Sequence, residues 1–291
     1  MELTKDTRFL IIGLGLIGGC YARGLAKHGY HVAAVDQNPE SIRYALAEGM
    51  IEKGSEIPTP ELLGRCDAAV LGLYPAQMAG WIRQYQHLFR PGTLLTDVCG
   101  VKSGVVDAVQ EALRPDLEFI GCHPMAGREL SGVQNSDERI FEGANFLITP
   151  TGRNTPEAIA FARELGRVLG FGRITELDPG QHDELIGFVS QLTHAIAVSL
   201  MTCNEDPNLQ FVTGDSFRDL TRIARINEEL WSELFFSNRE RLLREIDSFA
   251  GQLGRLRRAL AEGDQEGLRE MFRKSTRRRA EFDRPAPEEN A

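Results

Sequence analysis

The stretch Phe9-Leu10-Ile11-Ile12-Gly13-Leu14-Gly15-Leu16-Ile17-Gly18-Gly19-Cys20 decides the fold. Its four leading apolar residues read as a buried strand. Gly13-Leu14-Gly15-Leu16-Ile17-Gly18 is then a G-x-G-x-x-G that follows a strand and opens a helix, the context that gives this spacing meaning. Gly13 allows the tight turn, Gly15 lets the backbone approach a pyrophosphate, and Gly18 lets helix and strand pack closely. The helix N-terminus supplies unpaired N–H groups and the positive end of a dipole. Asp36 ends the next predicted strand, where a carboxylate accepts bonds from the adenosine ribose hydroxyls. It also repels a 2′-phosphate, and Gln37 and Asn38 supply no cation in its place, so NAD is expected rather than NADP. Lys5 and Arg8 before the apolar run, with Gly18-Gly19-Cys20 after it, superficially resemble a lipoprotein signal. Gly13 and Gly15 interrupt the helical segment such a signal requires, and the strand-and-turn reading is preferred.

Outward from this motif, the first half alternates short apolar runs with amphipathic stretches of helical length. Strands are expected at 9–12, 31–35, 68–73, 93–96, 119–121, 146–148 and 172–177, with helices such as 42–48 and 156–169 between them. This is the pattern of an open, doubly wound parallel sheet, an α/β Rossmann-type domain over residues 1–177. After Asp178-Pro179 the strand signals stop. Residues 181–203, 216–226, 228–260 (with a break inside) and 265–282 read as helices, giving an all-α domain over 178–283. In its long helix Leu242, Ile246, Phe249, Leu253, Leu256 and Leu260 form one apolar stripe, suited to the domain's own core or to a second subunit, so a homodimer through this domain is expected. The basic run 273–279 lies near a helix end, where cations are favoured. Residues 284–291 are proline- and charge-rich and are expected to be a disordered tail; no appended regulatory domain is expected after it.

Composition bounds the partners. The 291 residues include 42% hydrophobic and 26% charged residues, ordinary for a folded soluble chain of about two domains. The formal net charge of −9, with neither half basic, argues against nucleic acid as a partner. Five cysteines, odd in number and without a C-x-x-C pair, read as reduced thiols of a cytoplasmic protein. No apolar run reaches the ~18 residues that span a bilayer, so no transmembrane helix or membrane partner is expected. No metal ligands occur at recognised spacings, and no metal is expected.

His123 lies in Gly121-Cys122-His123-Pro124-Met125-Ala126-Gly127, which begins at the carboxyl end of a predicted strand, where doubly wound sheets place ligands. A hydride leaving an alcohol carbon requires the hydroxyl proton to leave too, and a neutral imidazole can accept it. A histidine bonded structurally in a turn is the competing reading.

Four separated motifs then carry a resemblance. Gly13 to Gly19, Gly121 to Glu129 (GCHPMAGRE), Ser190 to Ala195 (SQLTHA) and Gly214 to Ala224 (GDSFRDLTRIA), followed by Trp231-Ser232-Glu233-Leu234-Phe235, resemble the prephenate/arogenate dehydrogenase family over about residues 8 to 283. The resemblance implies a nucleotide-binding domain followed by a helical dimerisation domain. It implies NAD-dependent oxidative decarboxylation of prephenate to 4-hydroxyphenylpyruvate in tyrosine biosynthesis, with arogenate dehydrogenase as the nearest alternative and a non-catalytic NAD-sensing regulator as a more distant one. It assigns His123 to the substrate hydroxyl, His194 to substrate contact, Arg222 to a substrate carboxylate and Asp183 to a supporting place near the site.

Prephenate carries two carboxylates, so cations must be concentrated locally, and His194 and Arg222 are the candidates. Asp183, Gly187, Gln191 and His194 fall on one face of an ideal helix and could line a cleft together, which makes Gln191 a further substrate-binding candidate. Asp219, one turn before Arg222, could pair with it structurally instead. One departure from the family pattern stands out. Gly100 occupies the place where many members carry a serine that bonds the substrate hydroxyl, and Lys102 is expected to be structural or near the cofactor.

Overall fold

The structure is a computed structural model and describes residues 2–282. The sheet-bearing part runs β1 (Arg8–Ile12), α1 (Leu16–Lys27), β2 (His31–Val35), α2 (Pro39–Ala47), β3 (Lys53–Ser55), α3 (Pro60–Leu63), β4 (Ala68–Leu71) and α4 (Pro75–Tyr85). It continues with β5 (Leu94–Asp97), α5 (Val105–Ala112), β6 (Glu118–Met125), β7 (Asn145–Thr149), α6 (Pro156–Val168) and β8 (Arg173–Glu176). The eight strands form one sheet in the order β3-β2-β1-β4-β5-β6-β7-β8. Adjacent strands are parallel from β3 to β6, β7 runs antiparallel to β6, and β8 is parallel to β7.

Strand alternation divides the core. Phe9 and Ile11 face one apolar cluster with Tyr21, Leu25, Phe146 and Phe161, while Leu10 and Ile12 face the other with Met78, Ile82, Val106 and Phe119. A strand apolar on both faces belongs between two layers of helices, and β1 is in that position. The order of the strands reverses between β1 and β4, and the crevice beyond their carboxyl ends is the switch point where such sheets bind ligands.

The sheet differs from the sequence expectation in two ways. Lys53–Ser55 adds an edge strand that carries no apolar signal, being short and polar. β6 does not stop at Gly121: it outruns β5 and pairs with β7 as far as Met125, with His123 opposite Leu147. His123 therefore stands in extended backbone braced from one side, past the end of the parallel sheet.

After Asp178, whose side chain accepts from the Gly180 and Gln181 amides in a capping box, come α7 (Pro179–Ile186), a π-helical segment Gly187–Leu192 and α8 (Thr193–Thr202). The π turn changes the phase of the helix. Asp183 and Gly187 leave the face that carries His194, so the ideal-helix alignment of those residues is corrected. The continuous helix Pro179–Thr202 is also long and apolar enough to cross a membrane, contrary to the expectation of no such run. Its polar side chains His182, Asp183 and Gln191 are nonetheless buried in bonds to the rest of this unit. Then follow α9 (Asp215–Thr221), a 3-10 turn Arg222–Ala224 and α10 (Glu228–Ser237), after which the expected break falls at Asn238.

Compactness divides the chain between Arg241 and Leu242. The second unit holds most of α11 (Arg239–Glu262) and α12 (Gln265–Ala280), joined by a turn with Gly263 at φ 69° and with Asp264 capping α12 through the Gly267 amide. Phe249, Leu253 and Leu260 of the apolar stripe are exposed on this chain. The expected tail 284–291 lies outside the described residues.

Candidate active site

A cavity of about 1260 Å³ opens at the switch point, lined by Gly15 to Gly18 and Gly72, by Gly100, His123 and Met125, and by His194, Arg222 and Trp231. The glycine turn fits a dinucleotide. Gly13 has φ 94°, and a Cβ there would stand 2.5 Å from the Gly72 carbonyl oxygen; one on Gly18 would collide with the Gly13 carbonyl. A Cβ on Gly15 would meet nothing within 4 Å, so that side of the turn is open to an approaching group. Leu14 is buried, whereas Leu16 and Ile17 line the cavity. Asp36, at the end of β2, accepts from the Leu14 amide (2.5 Å) and the Asn38 amide (2.7 Å), which ties the carboxylate to the turn itself.

His123 owes its position to a buried scaffold. The Asp97 carboxylate accepts from the Cys122 amide (2.9 Å), the Cys99 amide (3.0 Å) and the Lys102 ammonium (2.5 Å), and Lys102 also donates to the Cys99 carbonyl at 2.9 Å. Asp97 and Lys102 are both fully buried. Lys102 thus has the structural role: it pins the 97–102 loop against β6. A buried ion pair is costly unless its remaining valences are met, and here backbone groups meet them. The loop sets Gly100 opposite His123, such that a Cβ there would stand 3.8 Å from His123 Nε2. Burial, His182 and the Lys102 ammonium together hold the His123 imidazolium well below its ordinary value, so the ring is neutral. Burial pushes the Cys99 and Cys122 thiols up to about 12, which makes them inert packing groups.

The far side is less enclosed. His194 stacks on Trp231 with ring centroids 3.6 Å apart, and its Nδ1 lies 2.9 Å from the Ser190 carbonyl, which leaves Nε2 for the cavity. Burial lowers its pKa, partly offset by the Ser190 carbonyl and Glu129, so His194 is a neutral hydrogen-bonding group and not the cation expected from sequence. Arg222 is 63% exposed and pairs with Glu129 across the cavity. Its partner is therefore Glu129 and not Asp219, which is exposed and lines no part of the cavity. Arg225 also lines the cavity and is a cation that sequence reasoning missed.

Gln191 reaches the wall, but its amide donates to the Leu234 carbonyl (3.0 Å) and accepts from Asn238 (2.8 Å). It ties the π-helical segment to α10, a structural task in addition to its place in the lining. Asp183 is fully buried outside the cavity and accepts from the Lys102 and Ser103 amides. His182, which sequence reasoning missed altogether, sits between Asp183 and His123.

Two family models match the chain: the prephenate dehydrogenase nucleotide-binding domain over residues 21–172 and the prephenate dehydrogenase dimerization domain over residues 178–274. The chain belongs to the prephenate dehydrogenase family. It is 28% identical over 284 residues to prephenate dehydrogenase of Bacillus subtilis, covering 94% of this chain and 75% of that one. It is 28% identical over 292 residues to cyclohexadienyl dehydrogenase of Zymomonas mobilis, covering 95% and 96%. Among solved structures, prephenate dehydrogenase from Aquifex aeolicus in complex with hydroxyphenyl propionate and NAD+ superposes with a TM-score of 0.87 at 26% identity, covering 97% of this chain and 100% of that one. The sheet followed by helices is the architecture of the family.

Proposed function

We propose that the protein is a cytoplasmic NAD-dependent prephenate dehydrogenase that makes 4-hydroxyphenylpyruvate for tyrosine biosynthesis. The observation that carries this reading is that a neutral His123, the glycine turn, Arg222 and Arg225 all line one cavity. NAD, when bound, would supply the acceptor for the hydride on the ring carbon that bears the hydroxyl. His123 accepts the hydroxyl proton and the O–H electron pair becomes the new carbonyl bond; as carbon dioxide leaves, the broken C–C bond's electron pair passes through the ring to that oxygen, and the aromatic phenolate takes a proton back. Gly15 to Gly18 receive the pyrophosphate and Asp36 the adenosine ribose. Arg222 exchanges Glu129 for a substrate carboxylate, Arg225 of the same lining takes the second, and His194 on its Trp231 shelf contacts the substrate through Nε2.

On this reading residues 1–177 hold NAD and residues 178–283 supply the substrate wall and a homodimer contact. The exposed apolar residues Phe249, Leu253 and Leu260 support the dimer, as does the name of the family model that covers them. Prephenate is preferred to arogenate because the matching enzymes of Bacillus subtilis and Aquifex aeolicus are named prephenate dehydrogenases and Asp36 favours NAD. The test is NADH formation from prephenate and, separately, from arogenate, each with NAD and NADP. Turnover of prephenate with NAD is expected. Turnover of arogenate alone would reverse the substrate choice, and silence with both in an NAD-binding protein would favour the sensor.

A further inference from the structure

His182 and Asp183, at the start of α7, are fully buried titratable groups that line no part of the cavity. Asp183 accepts from the Lys102 amide through Oδ1 at 2.8 Å and from the Ser103 amide through Oδ2 at 2.7 Å, so it is an ionised acceptor. His182 Nδ1 lies 2.7 Å from Oδ1 and must be the donor. Burial lowers the His182 pKa, so the ring is neutral and its Nε2 carries a lone pair. That lone pair lies 2.9 Å from His123 Nδ1, which must in turn donate.

We propose that Asp183 and His182 are positioning residues that fix His123 as the Nδ1–H tautomer, so that its Nε2 lone pair is the one presented to the substrate hydroxyl. The inference rests on the reading above that His123 takes that proton. Nε2 is the ring atom that a Cβ on Gly100 would approach, at 3.8 Å, and Gly100 and His123 both line the cavity. When the substrate O–H bond breaks, the new N–H bond forms there while the Nδ1 proton stays in place. The Nδ1 proton is held by the His182 lone pair, itself oriented by the Asp183 carboxylate. The tautomer of a histidine is set by the hydrogen bond its other nitrogen makes, so the choice is made two residues away from the substrate. The chain of contacts is anchored from outside as well, since Asn238 donates to the Asp183 carbonyl at 2.8 Å.

The experiment compares wild type, His182→Leu and His182→Gln by 15N NMR of histidine-labelled protein without substrate, and then by steady-state kinetics with prephenate and NAD. In wild type, His123 is expected to show a protonated Nδ1 and a bare Nε2. His182→Leu shifts the population toward Nε2–H and lowers kcat about 10²-fold, with KM for both ligands changed less than about threefold. His182→Gln, whose amide can donate to Asp183 and accept from His123, restores the tautomer and most of kcat. A wild-type His123 protonated at Nε2, or a His182→Leu protein with unchanged tautomer and kcat, overturns the inference. Should His182→Leu fail to fold, the wild-type and Gln spectra decide alone. A wild type with the expected tautomer that oxidises neither prephenate nor arogenate defeats the functional reading and upholds the tautomer assignment.

Discussion

The two ends of the cavity solve different problems. Around His123 the supporting groups are buried and each is fixed by more than one hydrogen bond: Asp97, Lys102, His182 and Asp183 are all fully buried. Around Arg222 the supporting contact is a half-exposed ion pair with Glu129 that a ligand can replace. On the proposed roles the contrast has a reason: a base must be held in one place against its proton, which rigid and dry surroundings allow. A carboxylate anchor needs only charge and a fork, so it stays where water and substrate reach it, and its ion pair is weak because it is screened.

Removing His123 should break the buried end most severely. His123→Ala is expected to lower kcat by about 10²- to 10⁴-fold with little change in KM, measured by NADH formation; a rise in KM alone would make His123 a binding group. At the open end Arg222→Ala is expected to raise KM for prephenate by about tenfold, the lower range for a charge-assisted bond, while kcat changes less. An equal fall in kcat would place Arg222 in the reacting end and dissolve the contrast. Between the two ends, Gln191→Leu removes one bond to the Leu234 carbonyl and one to the Asn238 amide and is expected to cost about 1–3 kcal/mol of stability, read from denaturant unfolding.

The pH dependence sharpens the same comparison. Because the folded-state values of His123 and His182 are lowered, the unfolded chain binds more protons just below the ordinary histidine value of ~6.5. Stability therefore rises with pH through that window and falls on acidification. kcat/KM, which needs neutral His123, stays on its plateau through neutral pH and declines only below ~6.5. A profile with its acid limb centred above that value would show a more solvated base. The smallest effect is expected at Gly100. A Cβ there meets Leu234 at 3.5 Å and comes within 3.8 Å of His123 Nε2, ordinary contacts, so Gly100→Ser should fold and raise kcat/KM a few-fold by adding one hydroxyl contact. A loss instead would mean that the space beside Gly100 belongs to the substrate.

Much of this was legible in the chain. The G-x-G-x-x-G turn, Asp36, seven of the eight strands and the change to helices after Asp178 are encoded in local spacing and composition, and the structure places them where the spacing requires. His123, His194 and Arg222 were legible as polar residues in motifs, and all three line one cavity. Asp219 misled because helical periodicity tells which side chains share a face and not what lies opposite, and for Asp183 and Gly187 the π-helical segment altered even the face.

The sequence by itself determined the fold class, the dinucleotide turn and the family, because each depends on residues close together in the chain. Only the tertiary structure decided that His123 meets His182, that Arg222 takes Glu129, and that Gln191 closes on Leu234. Those partners are separated by 59, 93 and 43 positions. Such contacts depend on strand order and helix packing, which no local pattern specifies. They also set the charge state of His123 and His194, because burial among distant residues governs whether an imidazole can hold a proton.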